Sequence, residues 1–93
     1  MIKVIIERKI ALGMEPNYDA AIKDTLRAIL AAPGYMSGAN YKDASDENHR
    51  VIITNWRSLA AWQKWQGSEE RRRVIASIQP ILVTPEKITV LSA

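Results

Sequence analysis

Three segments give no polar side to a two-residue period: Val4-Ile5-Ile6, Val51-Ile52-Ile53 and Ile88-Thr89-Val90-Leu91. A β-strand points successive side chains to opposite faces. A small antiparallel sheet with helices on one side therefore alternates, because its other side meets water. These segments do not alternate, so something is expected to cover the second face. In a chain of 93 residues the expected cover is a second copy of the same chain.

The first strand is predicted over Ile2 to Ile10, before the break at Gly13-Met14-Glu15-Pro16. Pro16 suits the first turn of a helix, and Asp19 favours its positive N-terminus. Tyr18, Ile22, Leu26, Ile29 and Leu30 recur at helical spacing, with Lys23, Asp24 and Arg27 largely between them. The helix stops at Ala32-Pro33-Gly34. Tyr35 to Lys42 predicts a weaker strand, in which Gly38 leaves room for a close neighbour or a bulge. The polar run Asp43 to Asn48 predicts a hairpin turn, and His49 to Trp56 the third strand. Ser58 caps a short helix, Leu59 to Gln66, which Gly67 interrupts. Ser68 caps another, with Glu69 and Glu70 in its first turn. Val74, Ile75 and Ile78 form its apolar face, Pro80 ends it, and Ile81-Leu82-Val83 must be buried somewhere. The last strand spans Lys87 to Leu91. The order β-α-β-β-α-β predicts an α+β, ferredoxin-like fold with an antiparallel sheet, in one domain over residues 1–93.

Composition narrows the function classes. With no cysteine, disulfides, thiol catalysis and thiolate metal sites are excluded. One histidine builds no metal site without a carboxylate cluster, and none stands at ligand spacing. The N-terminus lacks a signal-peptide pattern, and no apolar run approaches the ~20 residues of a membrane span. A cytoplasmic chain is expected, with no membrane partner. The net charge of +3 leans only weakly toward anionic partners. Arg71-Arg72-Arg73 follows Glu69-Glu70 and predicts a solvated helix with local ion pairs. No basic stripe interleaved with aromatics points to nucleic acid.

On this element order, the corner Pro33-Gly34-Tyr35 and the run Asn55-Trp56-Arg57-Ser58-Leu59-Ala60-Ala61-Trp62-Gln63-Lys64-Trp65, leading into Ser68-Glu69, resemble the antibiotic biosynthesis monooxygenase family. The resemblance covers nearly the whole chain. It implies a homodimer, two sheets face to face in a dimeric α+β barrel, with a cavity between each sheet and its helices. Members of that family include oxygenases of polyphenolic rings that use no cofactor, heme-degrading proteins and proteins of other activity. The heme-degrading branch uses an Asn on the first strand, a Trp late in the short helix and a His ten residues further on as iron ligand. Here the Trp is Trp65, the Asn position falls on Glu7 and the His position on Ile75. The missing groups argue against heme degradation, and no cofactor or metal is expected.

The candidate chemistry is sparse. His49 is either a general base, since an unperturbed imidazole titrates near 6.5, or a solvent-facing residue after a polar turn. Asn55 either donates to a substrate oxygen or ties down the turn into the helix. Trp62 and Trp65 stand three apart on a helix, and with Trp56 they line a flat pocket or fill the core. Strand alternation sets Glu7 and Arg8 on opposite faces, so one of these charges must lie against the helices or the dimer seam unless the strand end is open, and Glu7 is either a salt bridge at the sheet rim or a polar group inside the cavity. Tyr35 and Tyr41 share one strand face by the same count. The leading expectation is a cofactor-independent monooxygenase of a small electron-rich aromatic. His49 and Asn55 would be catalytic, and Trp56, Trp62, Trp65, Glu7 and Ile75 would line the substrate site. The alternatives are a non-catalytic small-molecule-binding dimer and a heme-binding protein.

Overall fold

Strand β1 (Ile2–Lys9) lies between β3 (Asp46–Trp56) and β4 (Lys87–Ser92), and β2 (Tyr35–Asp43) pairs with the outer side of β3. The sheet has four antiparallel strands in the order β2-β3-β1-β4. Helix α1 (Glu15–Ile29) connects β1 to β2, and α2 (Leu59–Gln66) and α3 (Glu69–Ile75) follow β3. A 3-10 turn, Gln79–Ile81, leads to β4. This is the expected ferredoxin-like α+β fold. The computed structural model describes every residue from Met1 to Ala93.

Register separates the two faces. Ile2, Val4, Ile6 and Arg8 of β1 share a face with Arg50, Ile52, Thr54 and Trp56 of β3. All eight are buried under the helices. Tyr18, Ile22 and Ile29 of α1, Trp62 and Trp65 of α2, and Ile75 of α3 close that core. The opposite face carries successive cross-strand rows. One is Ala39-Ile53-Ile5-Thr89, flanked by Tyr41-Val51-Glu7-Lys87 and by Ser37-Asn55-Lys3-Leu91. None of these open-face residues belongs to the core cluster. The two-sided apolar strands thus have a physical origin: one side is core, and the other is a surface with an apolar centre and charged margins.

Local chemistry explains the turns. Ser58 Oγ accepts from the N–H of Ala61, and Ser68 Oγ from that of Arg71, as their N-cap positions require. Gly34 takes φ +85°, and a Cβ there would lie 2.5 Å from Ala61 Cβ. The corner before β2 thereby fixes α2. Tyr35 OH stands where a Cβ of Gly38 would be, at 2.5 Å, which is the close neighbour Gly38 was expected to admit.

Several expectations need correction. The β2–β3 turn is only Ala44-Ser45, because the flanking polar side chains satisfy one another. Asp43 Oδ1 accepts from the backbone and hydroxyl of Ser45, and Asp46 Oδ1 from the N–H of Asn48. Tyr35 and Tyr41 do not share a face. A bulge between Tyr35 and Ser37 shifts the phase, so Tyr35 lies with Trp56 and Tyr41 with Val51. On α1, Leu30 is exposed and Thr25 is buried, its hydroxyl donating to the carbonyl of Ala21. Asp19 pairs with Arg50 rather than serving the helix end. Arg71 is buried, unlike its solvated neighbours Arg72 and Arg73. Ile81 joins the core, whereas Val83 remains exposed.

Candidate functional site

The three tryptophans are core residues first. Trp56, Trp62 and Trp65 are 0%, 2% and 4% exposed. Trp56 packs edge-on against Tyr35 at 5.4 Å and against Trp62 at 5.7 Å between ring centres. Its indole N–H donates to Thr54 Oγ1 at 3.0 Å. Ile75 is buried beside them. Of the three rings only Trp65 reaches a cavity, an open cleft of about 190 Å³ walled also by Ala32, Pro33, Lys64 and Glu69. Burial raises the pKa of Tyr35, so its phenol stays neutral against this ring stack.

The titratable candidates sit on the other side of the sheet. His49 and Glu7 are open-face residues of adjacent strands. His49 Nδ1 stands 2.9 Å from Asp43 Oδ2, and Nε2 stands 3.5 Å from Glu7 Oε1. A carboxylate only accepts, so Nδ1 carries the proton and Nε2 is the basic nitrogen of the neutral ring. The Asp43 bond raises the His49 pKa above its ordinary value. Desolvation opposes this, and Glu7 adds to the rise. Asp43 is held well below the usual carboxylate range by His49 and by both bonds from Ser45. Lys87 Nζ lies 4.0 Å from Glu7, and Lys9 pairs with Asp46 at 2.9 Å. No group of three or more His, Asp or Glu side chains is placed to hold a metal ion.

Asn55 shares that face, but not that site. It lies six residues from His49 on β3, so about 20 Å separates them at ~3.4 Å per residue. Its amide donates to Ser37 Oγ at 3.0 Å, and it walls a separate open cavity of about 250 Å³ with Met1, Lys3 and Leu91. The expected constellation therefore divides into the His49 and Glu7 pair, Asn55 at the far strand end, and Trp56, Trp62, Trp65 and Ile75 beneath the sheet.

Two features carried little warning in the sequence. Asp43, the partner of His49, belonged to a polar run expected to be turn. Between sheet and helices, Arg8, Arg50 and Arg71 gather around Tyr18 and Glu86, although only the parity of Arg8 hinted at burial.

Residues 1–77 match the sequence profile of the antibiotic biosynthesis monooxygenase family. The chain belongs to this family. Among curated proteins none matches it. The fold is shared with a crystal structure described as an antibiotic biosynthesis monooxygenase, at TM-score 0.79 and 22% identity, covering 100% of this chain and 98% of that one. Rv0793 from Mycobacterium tuberculosis is similar at TM-score 0.88 and 22% identity, with 99% and 93% covered. SnoaB from Streptomyces nogalater, a cofactor-independent oxygenase solved as a mutant, is similar at TM-score 0.85 and 12% identity, with 99% and 92% covered. At these identities the likeness concerns the fold. In this member of the monooxygenase family, large side chains fill the space between sheet and helices, and the imidazole stands on the outer face.

Proposed function

We propose that the chain is a cofactor-independent oxygenase of small, acidic, electron-rich aromatics, working as a homodimer with His49 as its base. The observation that carries this reading is the Asp43–His49 pair at the margin of a sheet face whose centre is apolar. Asp43 orients the ring and fixes its tautomer, leaving Nε2 to take a proton from a phenol or an activated ring carbon. Glu7 beside Nε2 stabilises the imidazolium that forms. The deprotonated ring passes an electron to oxygen, and recombination forms a carbon–oxygen bond. Loss of water from the resulting hydroperoxide leaves a quinone carbonyl. One oxygen atom enters the ring and the other leaves as water, and the substrate supplies every electron.

A sheet face alone is too open to exclude water from such a reaction. The second wall would be a second copy of the chain. The apolar row Ala39-Ile53-Ile5-Thr89 supplies the centre of a self-complementary contact. The flanking rows carry both signs of charge, Glu7 against Lys3 and Lys87, as a two-fold interface can use. Family membership supports the oxygenase chemistry, and the uncovered apolar face supports the dimer.

Oxygen uptake with hydroxylated anthrones or quinols tests the proposal. His49→Ala should lower turnover about a hundredfold or more, as loss of a general base does. Asn55→Ala should keep turnover near wild type. Full activity in His49→Ala removes the base assignment. Saturable binding of the same compounds without oxygen uptake would favour a non-catalytic binding dimer.

A further inference from the structure

Three guanidinium groups lie between the sheet and the helices. Arg8 and Arg50 are each 2% exposed and Arg71 9%. Arg8 and Arg50 are directly opposite on β1 and β3, a placement that sets like charges side by side. Tyr18 stands between them, with the guanidinium carbons 6.0 Å and 5.4 Å from its ring centre. Two carboxylates answer these three cations. Asp19, half exposed, takes Arg50. Glu86 takes the other two: Oε2 accepts from Arg8 Nε at 2.9 Å, and Oε1 from Arg71 Nη2 at 2.8 Å. Buried ion pairs of this kind cost desolvation and are often no more stable than apolar packing.

Glu86 reaches this position from a segment longer than the strand it faces, tied to it at Val83, whose N–H donates to the carbonyl of Lys9 at 2.9 Å. Leu82 bridges Ile10, and Lys87 pairs with Glu7. Between those anchors β1 has Arg8 and Lys9, whereas the returning chain has Val83, Thr84, Pro85 and Glu86. The surplus bulges outward, with its first three residues exposed. An open cavity of about 380 Å³ lies against it, lined by Leu82, Val83, Pro85 and Glu86 among others. Glu86 thus both borders an open, partly apolar cleft and holds two buried guanidiniums.

We propose that Glu86 is a tethered stand-in for a ligand carboxylate. When its side chain swings out, Arg8 and Arg71 take the carboxylate of a small acid whose apolar body lies against Leu82, Val83 and Pro85. The two guanidiniums already hold the two oxygens of one planar group, each through a single charge-assisted bond. The site is on the helix side of the sheet, away from His49, and stands independently of the oxygenase reading.

Benzoate is the probe, titrated into the full chain and followed by the side-chain Nε–H signals of Arg8 and Arg71. Wild type should bind it saturably but weakly, because the tethered carboxylate competes at high effective concentration. Glu86→Gln and Glu86→Ala should bind about tenfold tighter or more, since the competing occupant is gone. Arg71→Ala added to Glu86→Gln should abolish that gain. A variant that unfolds alone but refolds with benzoate supports the proposal. One that unfolds and is not rescued overturns it, and marks Glu86 as structural. Folded variants without saturable shifts overturn it too, as does phosphate binding as tightly as benzoate.

Discussion

Gly13 and Gly34 both hold left-handed backbone, at φ +86° and +85°. They differ in their surroundings. A Cβ on Gly13 meets nothing within 4 Å, whereas one on Gly34 lands 2.5 Å from Ala61 Cβ. Gly13→Ala therefore costs the conformational part alone, about 1–2 kcal/mol. Gly34→Ala costs that part plus overpacking, about 1–3 kcal/mol more. No rotamer relieves the second cost, because both atoms are fixed to backbone. Helix α2 would have to move, and Trp62 and Trp65 with it. Urea unfolding followed by tryptophan fluorescence reads the difference. With a slope near 1 kcal/mol per M, Gly34→Ala should unfold about 1–3 M earlier than Gly13→Ala. Both must be compared at one protein concentration, since association adds to apparent stability. Adding Ala61→Gly to Gly34→Ala should recover the overpacking share and leave the conformational share, with the helix cost of Ala61→Gly measured alone. Equal midpoints for Gly13→Ala and Gly34→Ala would refute the reasoning, because the contact would then not be what holds α2.

The His49 pKa is raised chiefly by Asp43, so Asp43→Asn should bring it down toward its ordinary value. The neutral ring is the base, so the rising limb of oxygen uptake against pH should move to lower pH in Asp43→Asn. An unmoved limb would detach His49 from the rate. Burial works to raise the Glu86 pKa, but the bonds and charges of Arg71 and Arg8 outweigh it and the pKa is lowered. A depressed carboxyl stabilises the fold above its unfolded pKa and loses that contribution as pH falls through the folded value. The stability gap between wild type and Glu86→Gln should therefore close in acid, and a gap constant with pH in urea titrations would contradict it. Ile53→Glu places an unpaired charge at the centre of the open face. It should weaken the proposed dimer by about 3–5 kcal/mol while leaving the protomer folded, as read by sedimentation equilibrium and far-UV circular dichroism.

The fold was legible because its signals are local. Ser58 and Ser68 cap helices, Pro33-Gly34 makes a corner, and Tyr18, Ile22 and Ile29 mark one helix face. Where the expectation failed, a non-local partner decided. The phase of β2 depends on a bulge, which moved Tyr35 to the helix side. Arg71 was indistinguishable from Arg72 and Arg73 until Glu86, fifteen residues on, supplied its partner. Asp43 counted as turn until the hairpin closed on Ala44-Ser45 and put it beside His49. Helix spacing places residues on a face, but it does not say which charge finds which.

Strand parity links assembly to chemistry. His49 and Trp56 differ by seven positions on one unbroken stretch of β3, so they lie on opposite faces. No side-chain motion changes that. A one-residue slip of β3 would turn Ile52, Thr54 and Trp56 out to bring His49 inward, at the cost of the core. A role for His49 in catalysis therefore confines the reaction to the open face. On one protomer that face has a floor and no roof. The oxygenase and dimer proposals are then coupled, and Ile53→Glu should abolish turnover together with association although Ile53 has no acid–base chemistry of its own. A monomeric Ile53→Glu protein with wild-type oxygen uptake would break the coupling, and would move the reaction away from His49 to a site within the protomer.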